Sequence, residues 1–387
     1  MTRCCTDNRH HIVNEQVPEA PSCCGGADAR AECCPADVAA TDEPWVEGVV
    51  STSVGPVPRV GTRLGLGDAL GRWKVRWGIG RMGYSVRPGI YAVGQPTCES
   101  PVFVSANYRM SFDRLRSELD GLDGWILVLD TRGINVWCAA GKGTFGTEEL
   151  VGRVESVGLA EVVSHRRLIV PQLGAPGVSA HEVRRRSGFR VVYGPVRAED
   201  IPAFLEAGMK ATPEMRRVRF TLRDRVALTP MEIRGAAKYA IAAAVVLMVL
   251  SGLWRGGYSV ERLVGLGPRH VLLLLGGYMA GAVLAPTLLP WLPGRAFSAK
   301  GAWVGLVVFL GAAVYAYARP GLFENWLSGA AWLLLIPAIA SFLAMNFTGA
   351  STYTSLSGVQ EEMRVAVPAQ VVCSVLGLVL WVVARFV

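Results

Sequence analysis

The chain changes character along its length, and the change is written in the spacing of its apolar residues. Between residues 111 and 210, compact apolar runs alternate with stretches of helical period. "GWILVLDT" (124–131), "RLIVPQL" (167–173) and "FRVVYGPV" (189–196) read as buried strands, since a strand covered on both faces needs no polar alternation. "SFDRLRSEL" (111–119) sets Phe112, Leu115 and Leu119 at helical spacing behind Ser111 as a cap. "GTEELVGRVESVGL" (146–159) reads as a helix with Thr147 as N-cap and Gly158 near its end, and "SAHEVRRRSG" and "RAEDIPAFLEAGM" as two more. Strands alternating with helices predict a parallel α/β sheet.

Around this block the pattern differs. Residues 45 to about 110 are rich in Gly and Pro, with short apolar pieces such as "PVFVSANY", and predict an irregular, strand-containing lead-in. Residues 1–44 are polar and aperiodic, as in a disordered tail. From about residue 239 the chain becomes a series of apolar runs, 239–254, 271–289, 301–318, 327–345 and 366–386, each near the length a bilayer requires. The expected organisation is a tail (1–44), an α/β domain (45–215), a basic juxtamembrane linker (216–238) and an all-α transmembrane bundle of about five helices (239–387). Gly277 and Gly281 form a GxxxG pair that allows close helix contact, or simply fills a bundle with small residues.

Charge sharpens this layout. The net charge of +8 comes partly from Arg216, Arg217, Arg219, Arg223, Arg225, Arg234 and Lys238, just ahead of the first apolar run. Basic residues there read as a topology signal, not a nucleic-acid footprint. They predict a multi-pass protein of the cytoplasmic membrane with its N-terminal domain in the cytoplasm. The opening "MTRCCTDNRHHIVNEQ" has no apolar core of a secretory signal, which agrees. Arg295, Lys300 and Arg364 fall on the same side, whereas Arg255, Arg262 and Arg269 run against the rule.

Nine cysteines are present, six of them in the pairs Cys4-Cys5, Cys23-Cys24 and Cys33-Cys34. No CxxC occurs, so zinc ribbons, thioredoxin motifs and ferredoxin-type clusters are unsupported. The vicinal thiols of the tail are soft ligands suited to a thiophilic metal, or incidental to a solvated segment. Cys138, within "RGINVWCAAGKGTFG" (132–146), is of a different kind. It follows a strand end, where α/β proteins place ligands. Asn135 can cap a helix starting at Val136, so the thiol falls in the first turn, where the helix dipole favours a thiolate. Lys142 lies one turn on, and the small Ala139, Ala140 and Gly141 suit a flat face for a large planar partner. A buried structural thiol is the plainer alternative. A phosphate loop fails, because Val136 and Gly143 stand where that motif needs Gly and Ser/Thr. A thiol nucleophile would need a base, for which His165 and His181 are available. Past the next strand, Gly174 and Gly177 in the Pro171–Ser179 loop are candidates for close approach to a ligand.

"NVWCAAGK" (135–142) resembles the cap-helix motif of the mercury-methylating corrinoid family HgcA, Asn-Val/Ile-Trp-Cys-Ala-Ala/Gly-Gly-Lys, at all eight positions. The layout of a soluble domain before about five spans is similar to that family too, as is the loop "NFTGASTYTSLSGVQEEM" (346–363). The resemblance spans roughly residues 50–387. It implies a Rossmann-like α/β corrinoid-binding domain like that of the corrinoid iron-sulfur protein, holding a cobalamin-type cofactor base-off, methylated in the cycle. Cys138 would be the lower axial ligand to cobalt, with Asn135, Val136, Trp137, Ala139, Ala140, Gly141 and Lys142 forming the cap helix. The implied activity is methyl transfer to Hg(II), for which a strongly donating thiolate gives the required polarity. The implied partners are a ferredoxin-like electron donor, HgcB, and a methyltetrahydrofolate-linked methyl donor protein. The tail cysteines Cys4, Cys5, Cys23, Cys24, Cys33 and Cys34 could hold Hg(II) for hand-over. Two alternatives stay open: a corrinoid protein of C1 metabolism with another methyl acceptor, and a membrane transporter or sensor with a cytosolic ligand-binding domain.

Overall fold

The computed structural model describes residues 43–350 and 356–387. The cysteine-paired tail lies outside them. The described chain forms two compact units, one comprising residues up to Val75 with Gly80–Arg217, the other Arg76–Ile79 with Val218–Val387.

The first unit is built on a seven-stranded sheet. In chain order its elements are β1 (Val46–Thr52), β2 (Gly55–Val60), α1 (Leu66–Arg76), β3 (Gly89–Val93), β4 (Val102–Ala106), α2 (Arg109–Glu118), β5 (Gly124–Leu129), α3 (Val136–Lys142), α4 (Thr147–Ser156), α5 (Leu159–Val162), β6 (Arg167–Val170), α6 (Ala180–Ser187), β7 (Arg190–Tyr193) and α7 (Ile201–Glu206). The sheet order is β1-β2-β3-β5-β4-β6-β7. β5, β4, β6 and β7 run parallel, as the alternating pattern predicts. The lead-in departs from that expectation: β3 runs antiparallel to β5, and β1 and β2 form an antiparallel pair at the sheet edge. The connection between β3 and β4 is too short for a crossover helix, so those two strands cannot run the same way.

Every residue of β3, β4 and β5 is buried. Alternate residues serve opposite faces. Trp125, Leu127 and Leu129 join a core with Leu150, Val151 and Val154 of α4 and Val183 of α6. Ile126 and Val128 join one with Phe112 and Leu115 of α2 and Phe204 of α7. The helix expected from Ser111 starts earlier, at Arg109, so Ser111 is inside it and the cap position is Tyr108. Thr147 likewise opens α4 behind Gly146 at the cap.

α1 and α2 are tied by buried ions. Arg116 contacts Asp113 (2.8 Å) and Asp68 (2.9 Å), and Arg109 contacts the same two carboxylates, each at 2.8 Å. Burial pushes the Asp68 carboxyl up, but the Gly65 N–H and the Arg116 and Arg109 charges outweigh it and hold it below its usual range. A lowered carboxyl stabilises the fold above its unfolded value and loses that contribution as pH falls through the folded value. Thermal unfolding is therefore expected to show the advantage of the parent over Asp68→Asn shrinking below about pH 4. An advantage independent of pH there would contradict it.

The second unit is helical. It contains α8 (Leu222–Val226), α9 (Thr229–Leu250), a small hairpin of β8 (Leu253–Trp254) and β9 (Gly257–Tyr258), α10 (Val260–Met279), α11 (Ala285–Leu288), α12 (Phe297–Ala318), α13 (Trp326–Asn346) and α14 (Leu356–Val383). A π-helical segment, Ala280–Leu284, joins α10 to α11. Among the described residues, five helical stretches are long and apolar enough to cross a membrane: Leu222–Leu250, Val260–Leu288, Phe297–Ala318, Trp326–Asn346 and Gly358–Val383. The first starts well before residue 239. The segment expected to be a linker is helical from Leu222, and Glu232, Arg234 and Lys238 ride on the early turns of α9. Hydropathy marks only the apolar part of such a helix.

Small residues set the helix spacing. A Cβ on Gly281 would lie 2.7 Å from the Ala340 carbonyl oxygen, and one on Gly305 would lie 2.7 Å from the Pro337 Cα. Gly277 and Gly281 therefore do provide close contact with α13, and Gly301 and Gly305 of α12 do the same. The arginines that run against the charge rule have partners. Arg262 pairs with Glu324 (2.7 Å), Arg269 donates to the Gly321 carbonyl, and Arg255 donates to the Phe386 carbonyl. Glu324 also pairs with Arg385 (3.0 Å), beside the fully buried His270.

Candidate functional site

The strands β4, β5, β6 and β7 follow one another in the chain but lie in the order β5-β4-β6-β7. The connection from β4 thus leaves in one direction and that from β6 in the other. Such a switch point opens a crevice beyond the carboxyl ends of the strands. Three segments lie at those ends: Asn107 after β4, Asp130–Asn135 leading into α3 after β5, and Pro171–Ser179 after β6.

Asn107 organises the first two. Its Oδ1 accepts from the Thr131 N–H (3.1 Å), the Thr131 hydroxyl (2.8 Å) and the Gly133 N–H (2.9 Å). Its Nδ2 donates to Asp130 Oδ1 (3.1 Å), which also accepts from the Arg132 N–H (2.9 Å). These bonds hold Arg132 and Gly133 at φ 56° and 70°, left-handed values that bend the chain sharply. The sequence signal for Asn107 was slight, a polar residue closing the apolar "PVFVSA" piece, and its role depends on a loop more than twenty residues away.

The bent loop delivers α3. Asn135 is its cap, with Oδ1 accepting from the Cys138 N–H at 2.9 Å. Gly143, at φ 80°, ends it. Val136, Ala139 and Ala140 are buried in the core, so the two alanines face inward, not toward a partner as the flat-face expectation has it. The outward face is Trp137, Cys138, Gly141 and Lys142. Trp137 is 37% exposed, large for an indole on a folded surface. Cys138 is half-buried and free, and Gly141 and Lys142 are exposed. A Cβ on Gly141 would meet nothing within 4 Å, so this face is open.

The second loop abuts the inward side of α3. A Cβ on Gly174 would lie 2.4 Å from the Phe145 ring, and one on Gly177 would lie 2.1 Å from the Phe145 carbonyl oxygen and 3.0 Å from the Ala140 Cα. The close approach of these glycines is thus to the protein's own Phe145 and, for Gly177, to Ala140 of α3. Gly177 accepts from the Thr147 N–H (3.2 Å), the Thr147 hydroxyl accepts from the Ser179 N–H (2.9 Å), and Tyr193 donates to the Val178 carbonyl (2.6 Å). The candidate bases are placed elsewhere: His165 bonds the Ser100 carbonyl (2.9 Å), and His181 lies beside Glu182 (3.4 Å).

Substituting Asn135→Ala is expected to destabilise the domain by about 1 kcal/mol, the usual worth of a cap. Asn135→Asp should recover most of it. Urea unfolding of the three proteins checks this, and equal midpoints for all would contradict it.

Fold and site together define an α/β domain with a free thiol on the open face of α3, followed by a unit with helices of membrane-spanning length. Residues 80–205 match the family model described as the CO dehydrogenase/acetyl-CoA synthase delta subunit, CdhD. The chain is similar to acetyl-CoA decarbonylase/synthase complex subunit gamma from three archaea. It is 32% identical to that of Archaeoglobus fulgidus over 123 residues, 31% of this chain and 26% of that protein. The figures are 31% over 123 residues for Methanopyrus kandleri (31% and 26%) and 30% over 126 residues for Methanosarcina acetivorans (32% and 26%). The chain thus spans about a quarter of the length of these curated relatives.

Proposed function

We propose that the protein is a corrinoid-dependent methyltransferase whose acceptor is inorganic Hg(II), giving methylmercury. The observation that carries this reading is the open outward face of α3, where Cys138 projects between Trp137 and Gly141 from a helix fixed at both ends. A free soft thiol on an uncluttered face suits cobalt, and the small Gly141 leaves room for a macrocycle. The likeness of residues 80–205 to subunits of the acetyl-CoA decarbonylase/synthase complex supports methyl-group chemistry in C1 metabolism.

When bound, a corrinoid supplies a cobalt centre that carries a methyl group. The chain's own residues do the rest. Cys138 would hold the cobalt through its thiolate. Asn135 fixes the Cys138 backbone, and Asn107 fixes the loop that presents it. Trp137 and Gly141 offer an apolar, level surface, and Lys142 places a cation at its edge. The Pro171–Ser179 loop, clipped to Thr147 and Tyr193, would hold the tail of a cobalamin-type cofactor. In this reading the partners would be a ferredoxin-like electron donor, HgcB, and a methyltetrahydrofolate-linked methyl donor protein, and the tail cysteines would hold Hg(II) for hand-over. In this reading the α/β domain lies in the cytoplasm.

A second reading keeps the cofactor and changes the acceptor, and the names of the archaeal relatives favour it. The two readings separate in an anaerobic reaction of the full chain with methylcobalamin and either Hg(II) or a small free thiol. Methylmercury without thiol methylation is expected. Methylation of the thiol alone would assign the nucleophilic acceptor class instead.

A further inference from the structure

The helical unit contains a groove of about 800 Å³ running between α12 and α14, with α13 as its floor. This volume lies in the range of ligand sites, about 300–1,000 Å³. Its origin is local. Ala299 and Ala302 on α12 and Ala366 and Ala369 on α14 present only methyl groups to the space between the helices. Ordinary helix packing would fill it, since interiors are close-packed.

The groove is graded along its length. At one end lie Arg295, Glu361 and Glu362, near the first turns of α12 and α14. Glu362 is already engaged there, accepting from the Ser298 N–H at 2.6 Å. Away from that end the walls are Leu333, Leu334, Pro337 and alanines, and Cys373 marks the far limit. Gln370 lies in the wall and is 8% exposed; its Nε2 donates to Ser341 Oγ (2.8 Å), and its Oε1 has no protein partner.

Length and charge identify the guest. From Gly358 to Cys373 the helix rises about 22 Å. One leaflet, half of the hydrocarbon core plus its headgroup layer, is about 21 Å deep. The charged end therefore falls at headgroup level, and the apolar length matches the acyl region. Arg295 suits a phosphate. Two carboxylates at the same mouth oppose a headgroup of net negative charge and favour one whose cation can donate hydrogen bonds, which a primary amine does and a quaternary ammonium does not.

We propose that this groove binds one phospholipid with a primary-amine headgroup, drawn from the leaflet that holds the first turns of α12 and α14. Its phosphate lies at Arg295, its amine at Glu361, and one acyl chain follows α14 toward Cys373. The groove is a lipid site of the helical unit.

The test uses the full chain in nanodiscs of phosphatidylethanolamine, phosphatidylcholine and phosphatidylglycerol in equal parts. The protein is stripped with mild detergent, and the lipid it retains is measured by mass spectrometry. One phosphatidylethanolamine per chain is expected, enriched about fivefold over either competitor, the worth of one charged contact at a membrane surface. Glu361→Gln should abolish the preference over phosphatidylcholine, and Ala369→Phe, which fills the groove, should remove the retained lipid. The headgroup comparison in the parent protein needs no variant, so misfolding cannot mask it. Retention of no lipid, equal retention of all three, or preference for phosphatidylglycerol would overturn the proposal.

Discussion

Cys138→Ala is expected to lower methyl transfer to Hg(II) by about 100-fold or more, since loss of groups that merely orient a metal ligand already costs about 10–100-fold. The fold should hardly notice. The thiol is on the outward face of α3, outside the packed core. The bond that caps the helix uses the Cys138 backbone N–H, which alanine keeps. Alanine also has the higher helix propensity. Anaerobic methylmercury formation should therefore collapse while the thermal midpoint stays within a degree or two of the parent. If activity and midpoint fell together, Cys138 would be structural. If neither changed, the thiol would have no part in the chemistry.

The second large effect concerns the fold beneath that thiol. Gly177→Ala is expected to destabilise the first unit by about 3 kcal/mol, at the upper end for overpacking a core. The added Cβ would be 2.1 Å from the Phe145 carbonyl oxygen, and neither that backbone nor the Ala140 Cα can swing aside as a flexible side chain would. Either the 171–179 loop or α3 must move. Gly141→Ala is the control. Its Cβ enters open space, and removing a helical glycine should be neutral or stabilising by up to about 1 kcal/mol. Denaturant unfolding of both variants gives the comparison. A mild Gly177→Ala together with a disruptive Gly141→Ala would mean that α3 packs the other way round.

These contrasts show what the sequence carries and where it stops. The parallel half of the sheet was legible because β5, β6 and β7 are continuous apolar runs between helical periods, and a two-sided burial leaves that trace. The α3 cap was legible because Asn135 is a local signal, acting three residues away. The lead-in was not. β1 is half exposed along its length, β2 contains two prolines, and the reversed direction of β3 follows from a short connection, not from its composition. α2 starts behind Tyr108, which makes no side-chain cap, so Ser111 offered a false start. The inward face of Ala139 and Ala140 and the function of Asn107 depend on contacts between distant segments. The first helix of membrane-spanning length looks short in the sequence because its early turns are charged.

The central claim is that Cys138 is displayed to bind cobalt. Its most direct test is the anaerobic absorption spectrum of the full chain in detergent with methylcobalamin, set beside Cys138→Ala. A base-off corrinoid spectrum shifted by thiolate ligation in the parent, and lost from the variant, is the predicted result. Failure of the parent to bind corrinoid, or identical spectra from the two proteins, would contradict it.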